Sequence, residues 1–277
     1  MKNCAAILVM VVVCSAAPRA DVRYTATTTI EGQMAGIMGA APPRMVMRVK
    51  GGKARADIGP DEQPTASSIT DLSSRQTILL QHQQKLAVIV TPERAATLAR
   101  PGAVTLPAAD TAVKPTGRTR VIDGVSCIEH VVTMSFDMLE MAKSSPKAPP
   151  EAMEGLKDAR MIVSGSLWIA TEGPGVADYV GFKKIAEEAG LAGILLGAMP
   201  GVRSVGLNKF MAAFATAPGL PYLTEISMTV EGTGDIVEMM KQQMGVTTFS
   251  TRVNVVSTDP IADDVFEVPG GYTVKRR

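Results

Sequence analysis

Histidine and cysteine are the side chains best suited to hold a metal or move a proton near neutral pH, and the chain carries two of the first and three of the second. His82 falls in "HQQ", between two apolar runs, where a turn is expected. Cys127 and His130 lie in "SCIEHVVTMSF", which reads as a strand. Three residues apart on a strand, they point to opposite faces and cannot ligate one ion. His130 is therefore read as a satisfied structural residue, and Asp263-Asp264 as a solvated turn rather than a cation site. No HExxH, CxxC, GxSxG or Walker pattern occurs, and "EGTGD" and "EGPGVAD" lack the third glycine of a dinucleotide loop. Without a nucleophile–base pair or a ligand set, the expectation is a protein that is not an enzyme, with no catalytic residue, metal or cofactor.

The N-terminus gives a compartment. Met1-Lys2-Asn3 is a short basic region, and "CAAILVMVVVC" is apolar but too short to span a bilayer. "SAAPRA" supplies small residues for cleavage after Ala20, with Ala17 the alternative because Pro18 fits the minus-three position badly. Residues 1–20 thus read as a signal peptide. Val13 stands where lipoprotein sites carry Gly, Ala or Ser, which argues against acylation at Cys14. Of the three cysteines only Cys127 then survives maturation, so no disulfide is expected to hold the remainder, residues 21–277. A formal net charge of +1 argues against a nucleic-acid partner.

Methionine is abundant at 17 residues, while aromatic residues make up 4% of the chain. Met fills irregular gaps in a core, and it also adapts to variable apolar partners. Composition leaves both uses open.

Alternation marks the elements that position these residues. "VRYTATTTIEG" places Tyr24, Ala26, Thr28 and Ile30 on one face. "RMVMRVKGGKARADIG" reads as a hairpin about Gly51-Gly52, with Met45, Met47, Val49, Ala54, Ala56 and Ile58 on one side. Arg48, Lys50, Lys53 and Arg55 share the other, expected to be a solvated face. Strands follow at "SSITDL", "RQTILLQ" and "KLAVIVT". A hairpin about Asp123-Gly124 and the strand "MIVSGSLWIA" come next, separated by a Pro-rich excursion. The period then changes. Helices are expected over 176–189 and 202–216, joined by the glycine-rich "LAGILLGAMPG". Beyond them lie the strand "LPYLTEISMTVEG" and a short helix with Asp235 as N-cap and Glu238 completing a capping box. The strand "VTTFSTRVNVVST" sets Phe249, Val253 and Val255 against Arg252, Asn254 and Val256. "DDVFEVPGGY" reads as a last strand, stopped at Pro269, with a turn that folds Tyr272 back, its hydroxyl wet.

Several of these segments carry a resemblance. "PIADDVFEVPGGY" resembles the ending of a family of secreted bacterial proteins (domain of unknown function 4412) related to the LolA/LolB-like lipoprotein-carrier superfamily. "DGVSCIEHVV", "SLWIATEGPGVADYVGFKKIAEEAG" and "PGLPYLTEISMTV" look like its cysteine strand, its tryptophan strand with turn and helix, and its Gly-x-Pro strand, in the same order. The "GDIVEMMKQQMG" helix and the Pro-rich excursion depart from that pattern. The resemblance implies an α+β, mainly β, LolA-like domain over residues 21–277: a curved antiparallel sheet, an incomplete barrel, covered by helices at about 176–216. It also implies an apolar space that takes a lipid or lipoprotein acyl chain.

The sequence expectation is thus an exported, periplasmic, non-catalytic binding protein for lipid, acyl chains or another apolar ligand, with transient membrane-surface contact. The rival is a structural or sensory cell-envelope protein with a solid core and protein partners. The ligand-lining residues expected are Met45, Met47, Val49, Ala54, Ile58, Phe182, Leu207, Phe210, Met211 and Phe214. Intact-mass measurement of exported material should show a chain lacking residues 1–20 or 1–17. Retention of Met1, or a diacylglyceryl adduct on Cys14, would contradict the reading of the N-terminus.

Overall fold

A computed structural model describes residues 21–33, 35, 43–59, 63–91, 110–143, 153–189, 191 and 217–276. The expected signal peptide, the helix at 202–216, the joint before it apart from Leu191 and most of the Pro-rich excursion lie outside the described residues. So do Leu207, Phe210, Met211 and Phe214.

The described chain is mainly β, built on a single curved, unclosed sheet with few helices. The first strands run as a meander: β1 (Val22–Glu31), β2 (Arg44–Lys50), β3 (Lys53–Gly59), β4 (Ala66–Asp71), β5 (Gln76–Gln81) and β6 (Leu86–Val90). A second meander comprises β7 (Asp110–Ile122), β8 (Val125–Asp137), β9 (Arg160–Ala170), β10 (Leu220–Glu231) and β11 (Thr247–Ser257). Pairing of β1 with β11 fuses the two, and β12 (Thr273–Arg276) caps the free edge of β6, giving the order β12-β6-β5-β4-β3-β2-β1-β11-β10-β9-β8-β7. All pairs are antiparallel, as sequential neighbours require, except β12 with β6. Three α-helices are described: α1 (Met138–Lys143), α2 (Val176–Glu188) and α3 (Asp235–Met244).

Local chemistry places the turns. Lys50 pairs with Lys53 around Gly51-Gly52, where Gly51 has φ 55°, and Ile122 pairs with Val125 around a turn whose Asp123 and Gly124 both have positive φ, as a type I′ turn demands. Across β1, β2 and β3 the register builds rows on one face: Val22–Val49–Ala54, Tyr24–Met47–Ala56 and Ala26–Met45–Ile58. The helix α2 lies on these rows. Its Val176, Tyr179, Phe182 and Ala186 recur at helical spacing and are buried.

Four expectations are corrected. The helix α3 starts after Gly234 with no side-chain cap bond, so Asp235 is its first residue and no capping box forms; Gly234 takes the N-cap with φ 105°, a conformation open to glycine. In β11 the alternation breaks, because Thr25 faces Val255 while Ala26 faces Val253. Asn254 is the extra residue of that bulge, so Val255 is exposed and Val256 packs toward the core. The C-terminal "DDVF" is a 3-10 turn (Asp263–Phe266) rather than a strand, and the last strand comes after the glycines. Finally, the sequence reading found no helix where α1 follows β8 directly.

Gly165 in β9 sits where β10 crosses closely. A Cβ there would run into the Glu225 carbonyl and lie 2.8 Å from the Cα of Ile226. Gly165→Ala should therefore separate β9 from β10 and lower unfolding free energy by about 3 kcal/mol, read by urea denaturation. A cost below about 0.5 kcal/mol would show that the strands are not held this closely.

Candidate functional site

The apolar face under α2 is built from both meanders. Val22, Tyr24, Met47, Val49, Ala54 and Ala56 meet Tyr179 and Phe182 of α2, and the same cluster continues into Cys127, Trp168, Leu220 and Tyr222. The rings of Tyr24 and Tyr179 meet edge-on with centroids 5.7 Å apart. Burial pushes both phenols above their ordinary range. Gly175, just before α2, has φ 71°, and a Cβ on it would approach Val22 Cγ1 to 2.8 Å, so the helix enters the sheet surface without a spacer.

Of the expected lining residues, Met47, Val49, Ala54 and Phe182 come together in this cluster, none more than 6% exposed. Met45 is partly buried against it, and Ile58 is half-buried at the end of β3. Beside them, Lys183 on α2 donates to the Ala217 carbonyl and lies 5.8 Å from the Tyr179 ring centroid. Burial lowers its pKa to about 8, against the opposing pull of Glu187. Cys127 is fully buried with a free thiol, which burial pushes up. His130 is buried too, but its Nδ1 has no hydrogen-bond partner among the described residues, so it is packed without being satisfied.

On the opposite face of β2–β6 Lys53 is exposed as expected, but Arg48, Lys50 and Arg55 are half-buried and partnered. Arg48 and Arg55 both donate to Asp57, Arg55 Nε at 2.7 Å. Ser67 Oγ donates to Asp57 Oδ1 at 2.5 Å and lies 2.6 Å from His82 Nε2, while His82 Nδ1 lies 2.6 Å from the Tyr272 hydroxyl. The C-terminal segment covers this surface. Lys50 Nζ donates to the Ile261 carbonyl at 2.5 Å and pairs with Asp263 at 2.9 Å, and Arg55 Nη1 donates to the Val265 carbonyl at 2.9 Å. Beneath the same segment Phe266 and Ile261 pack on Ile69, Leu80 and Ala87. Lys50 and Arg55 thus form a docking strip for the end of the chain, and the Tyr272 hydroxyl is bound rather than wet.

The donor order in this chain decides its chemistry. Ser67 spends its one proton on Asp57, so its oxygen must accept from His82 Nε2–H. Neutral His82 then accepts at Nδ1 from Tyr272. A serine nucleophile needs the reverse flow, from hydroxyl to imidazole, and Ser67 is only 4% exposed. The arrangement is a clasp. Burial raises the Asp57 pKa, but the bonds from Ser67 and Arg55 and the charges of Arg55 and Arg48 outweigh it, leaving the carboxyl below its ordinary range.

Glu129 is a second buried carboxylate that sequence reading missed. It accepts from Thr116 Oγ1 at 2.7 Å, Arg118 Nε and Nη2 at 2.6 Å and Ser166 Oγ at 2.8 Å. The Thr116 bond, with those from Ser166 and Arg118, holds it below the usual carboxylate range despite desolvation. With its oxygens occupied, it acts as an anchor for the bulge in β7. A signal existed for both acids: Glu129 alternates with inward Cys127, and Asp57 shares parity with Arg55.

Compared with known protein families and curated proteins, the chain matches no family model and no curated protein. No described helix is long and apolar enough to cross a membrane.

Asp57→Ala should destabilise the protein by about 3 kcal/mol at pH 7, because two arginines lose their carboxylate in a largely buried site. A depressed folded-state pKa gives stability that is present above about pH 3.9 and lost as pH falls through the folded value. Asp57→Asn should therefore flatten the acid limb of a stability–pH profile. An unchanged limb would show that Asp57 is not ionised in the native state.

Proposed function

We propose that the protein is an exported, periplasmic, non-catalytic binding protein for an apolar ligand such as a lipid or acyl chain, received on the sheet face beneath α2. The observation that carries this reading is the asymmetry of that face: an apolar surface spanning both meanders, bordered by partly buried Met45, Leu72, Val180 and Val256. Its helical cover is amphipathic and has no side-chain cap bond at its N-terminus. Each buried methylene is worth about 0.8 kcal/mol, so a long acyl chain gains about 12 kcal/mol on leaving water. A surface of Met and small aliphatic side chains offers such a chain contacts that adapt to its shape. The same reading is what the sequence resemblance to a family related to lipoprotein carriers would imply.

One observation favours a second reading, a structural or sensory envelope protein with protein partners. Phe182, Tyr179, Met47 and Val49 fill one another's space in a continuous cluster. On that reading α2 is a permanent part of the core.

The single tryptophan separates the two, since Trp168 belongs to the same cluster. Native mass spectrometry of the mature chain should show co-purified lipid, and titration with an apolar probe should shift Trp168 emission. Phe182→Asp should abolish the shift while costing stability, since a charge enters an apolar space. No retained lipid and no emission change would leave the solid-core reading standing.

A further inference from the structure

The helix α2 brings a cation to the apolar face. Lys183 is half-buried, donates one of its three ammonium hydrogens to the Ala217 carbonyl and lies 5.8 Å from the centroid of the Tyr179 ring. Among the described residues no carboxylate forms an ion pair with it. Glu187, one turn along α2, is exposed and acts on it only at longer range. Ala217 leads from Lys183 to the sheet. It packs with Val132, Leu167 and Ile169, and Leu167 is the cross-strand partner of His130. His130 shares strand parity with Val132, so its ring lies on the same side of β8. It is only 8% exposed, and its Nδ1 has no partner among the described residues. The row that holds it continues through Leu167, Thr224 and Thr251 to Thr28, which shares parity with Tyr24 and Ala26. His130 therefore faces the α2 side of the sheet. A buried polar nitrogen left unbonded is a cost that native interiors seldom carry.

We propose that the ligand received beneath α2 is a single-chain amphiphile with a carboxylate head, a fatty acid, held by Lys183 Nζ with His130 as a second donor. The proposal rests on the apolar-ligand reading above and adds the head group to it. An apolar surface such as that of Tyr179, Phe182 and Met47 takes a tail whatever its head, and a few convergent polar groups then fix orientation and choose the head. Lys183 keeps two uncommitted hydrogens, and neutral His130 offers one in the tautomer that carries it on Nδ1. Those donors suit the two acceptor oxygens of a carboxylate. A cationic head would meet a like charge, and an ester would leave the ammonium without a counter-charge. Burial lowers the Lys183 pKa to about 8, so the amine is still mostly protonated at pH 7, where a carboxylic acid is ionised. Bonds between two charged groups are the stronger kind, and a site shielded by α2 strengthens them further.

Displacement of the apolar fluorophore N-phenyl-1-naphthylamine from the mature chain at pH 7 tests this, with dodecanoate and methyl dodecanoate as competitors below their aggregation concentrations. Dodecanoate should compete about tenfold better than its ester. Lys183→Met should bring dodecanoate down to the level of the ester while leaving the ester within about twofold of its parent value. His130→Leu should weaken dodecanoate about threefold and spare the ester. Equal competition by acid and ester in the parent would overturn the carboxylate head and leave the apolar-ligand reading standing. Binding of neither the fluorophore nor a competitor would overturn both. Equal weakening of acid and ester in Lys183→Met would also overturn the proposal, since the lysine would then act only by tying α2 to Ala217.

Discussion

The pairing of β1 with β11 is the contact on which the rest of the structure depends. Each meander forms from neighbours in sequence, but the two become one sheet only where Arg23 meets Ser257 and Glu31 meets Thr248. Those partners lie more than two hundred residues apart, so their loop-closure entropy must be met before the pairing returns anything. Threonine chemistry helps to hold the seam. Thr28 and Thr251 share a hydrogen bond of 2.8 Å, and Asn254, the bulged residue, reaches Thr27 at 2.7 Å. Because β1 also pairs with β2, any loosening of this seam is felt at once on both sides. The apolar cluster under α2 straddles it, taking Tyr24 and Met47 from one meander and Leu220 and Trp168 from the other. The cover and the seam therefore stabilise each other.

A sheet with two partly apolar faces needs two covers, and the chain supplies them by different physics. The α2 side is closed by packing, which depends on area and shape and has little directional demand. The β3–β6 side is closed by the C-terminal segment, which is aligned by bonds donated from Lys50 and Arg55 and by the bond that Tyr272 gives to His82. Asp57 is what makes the second solution workable. Two arginines on one face of adjacent strands would repel each other, and the shared carboxylate turns them into a fixed pair of donors, one of which is aimed at that segment.

Much of this was legible where the signal is local. Gly51-Gly52 and Asp123-Gly124 announced their hairpins, and the spacing of Val176, Tyr179, Phe182 and Ala186 announced α2 and its buried side. The inward row of Met45, Met47 and Val49 with Ala54 and Ile58 followed from strand parity alone. What escaped was set by distant partners. Nothing near Lys50 says that Ile261 will sit on it, and the charge stripe therefore read as solvent-facing. The bulge at Asn254 obeys the register of β1 rather than any preference of its own sequence, so it inverted Val255 and Val256. Gly234 displaced Asp235 as N-cap because a positive φ was needed there, which the capping-box pattern does not record. Glu129 was visible as a parity violation, a carboxylate in line with inward Cys127, whereas Asp57 lies on the charged face as expected and is buried only because the distant end of the chain covers that face.

The two covers also set which motions are cheap. A helix held by non-directional contacts can shift by a fraction of a side chain and keep most of its buried area, particularly against methionine, whose rotamers re-form around a new neighbour. A segment held by directed bonds has less slack, since Lys50 and Arg55 must keep their geometry to the Ile261 and Val265 carbonyls. Graded accommodation therefore belongs to the α2 face, and tighter registration to the end of the chain. The faces are joined through β3, which gives Ala54 and Ala56 to the first and Arg55 and Asp57 to the second. Because alternate residues of one strand serve both, a ligand that spread β3 from β2 under α2 would strain the Arg48–Asp57 bond on the far side. On the proposed reading, that shared strand is the physical route by which occupancy of one face could reach the clasp on the other.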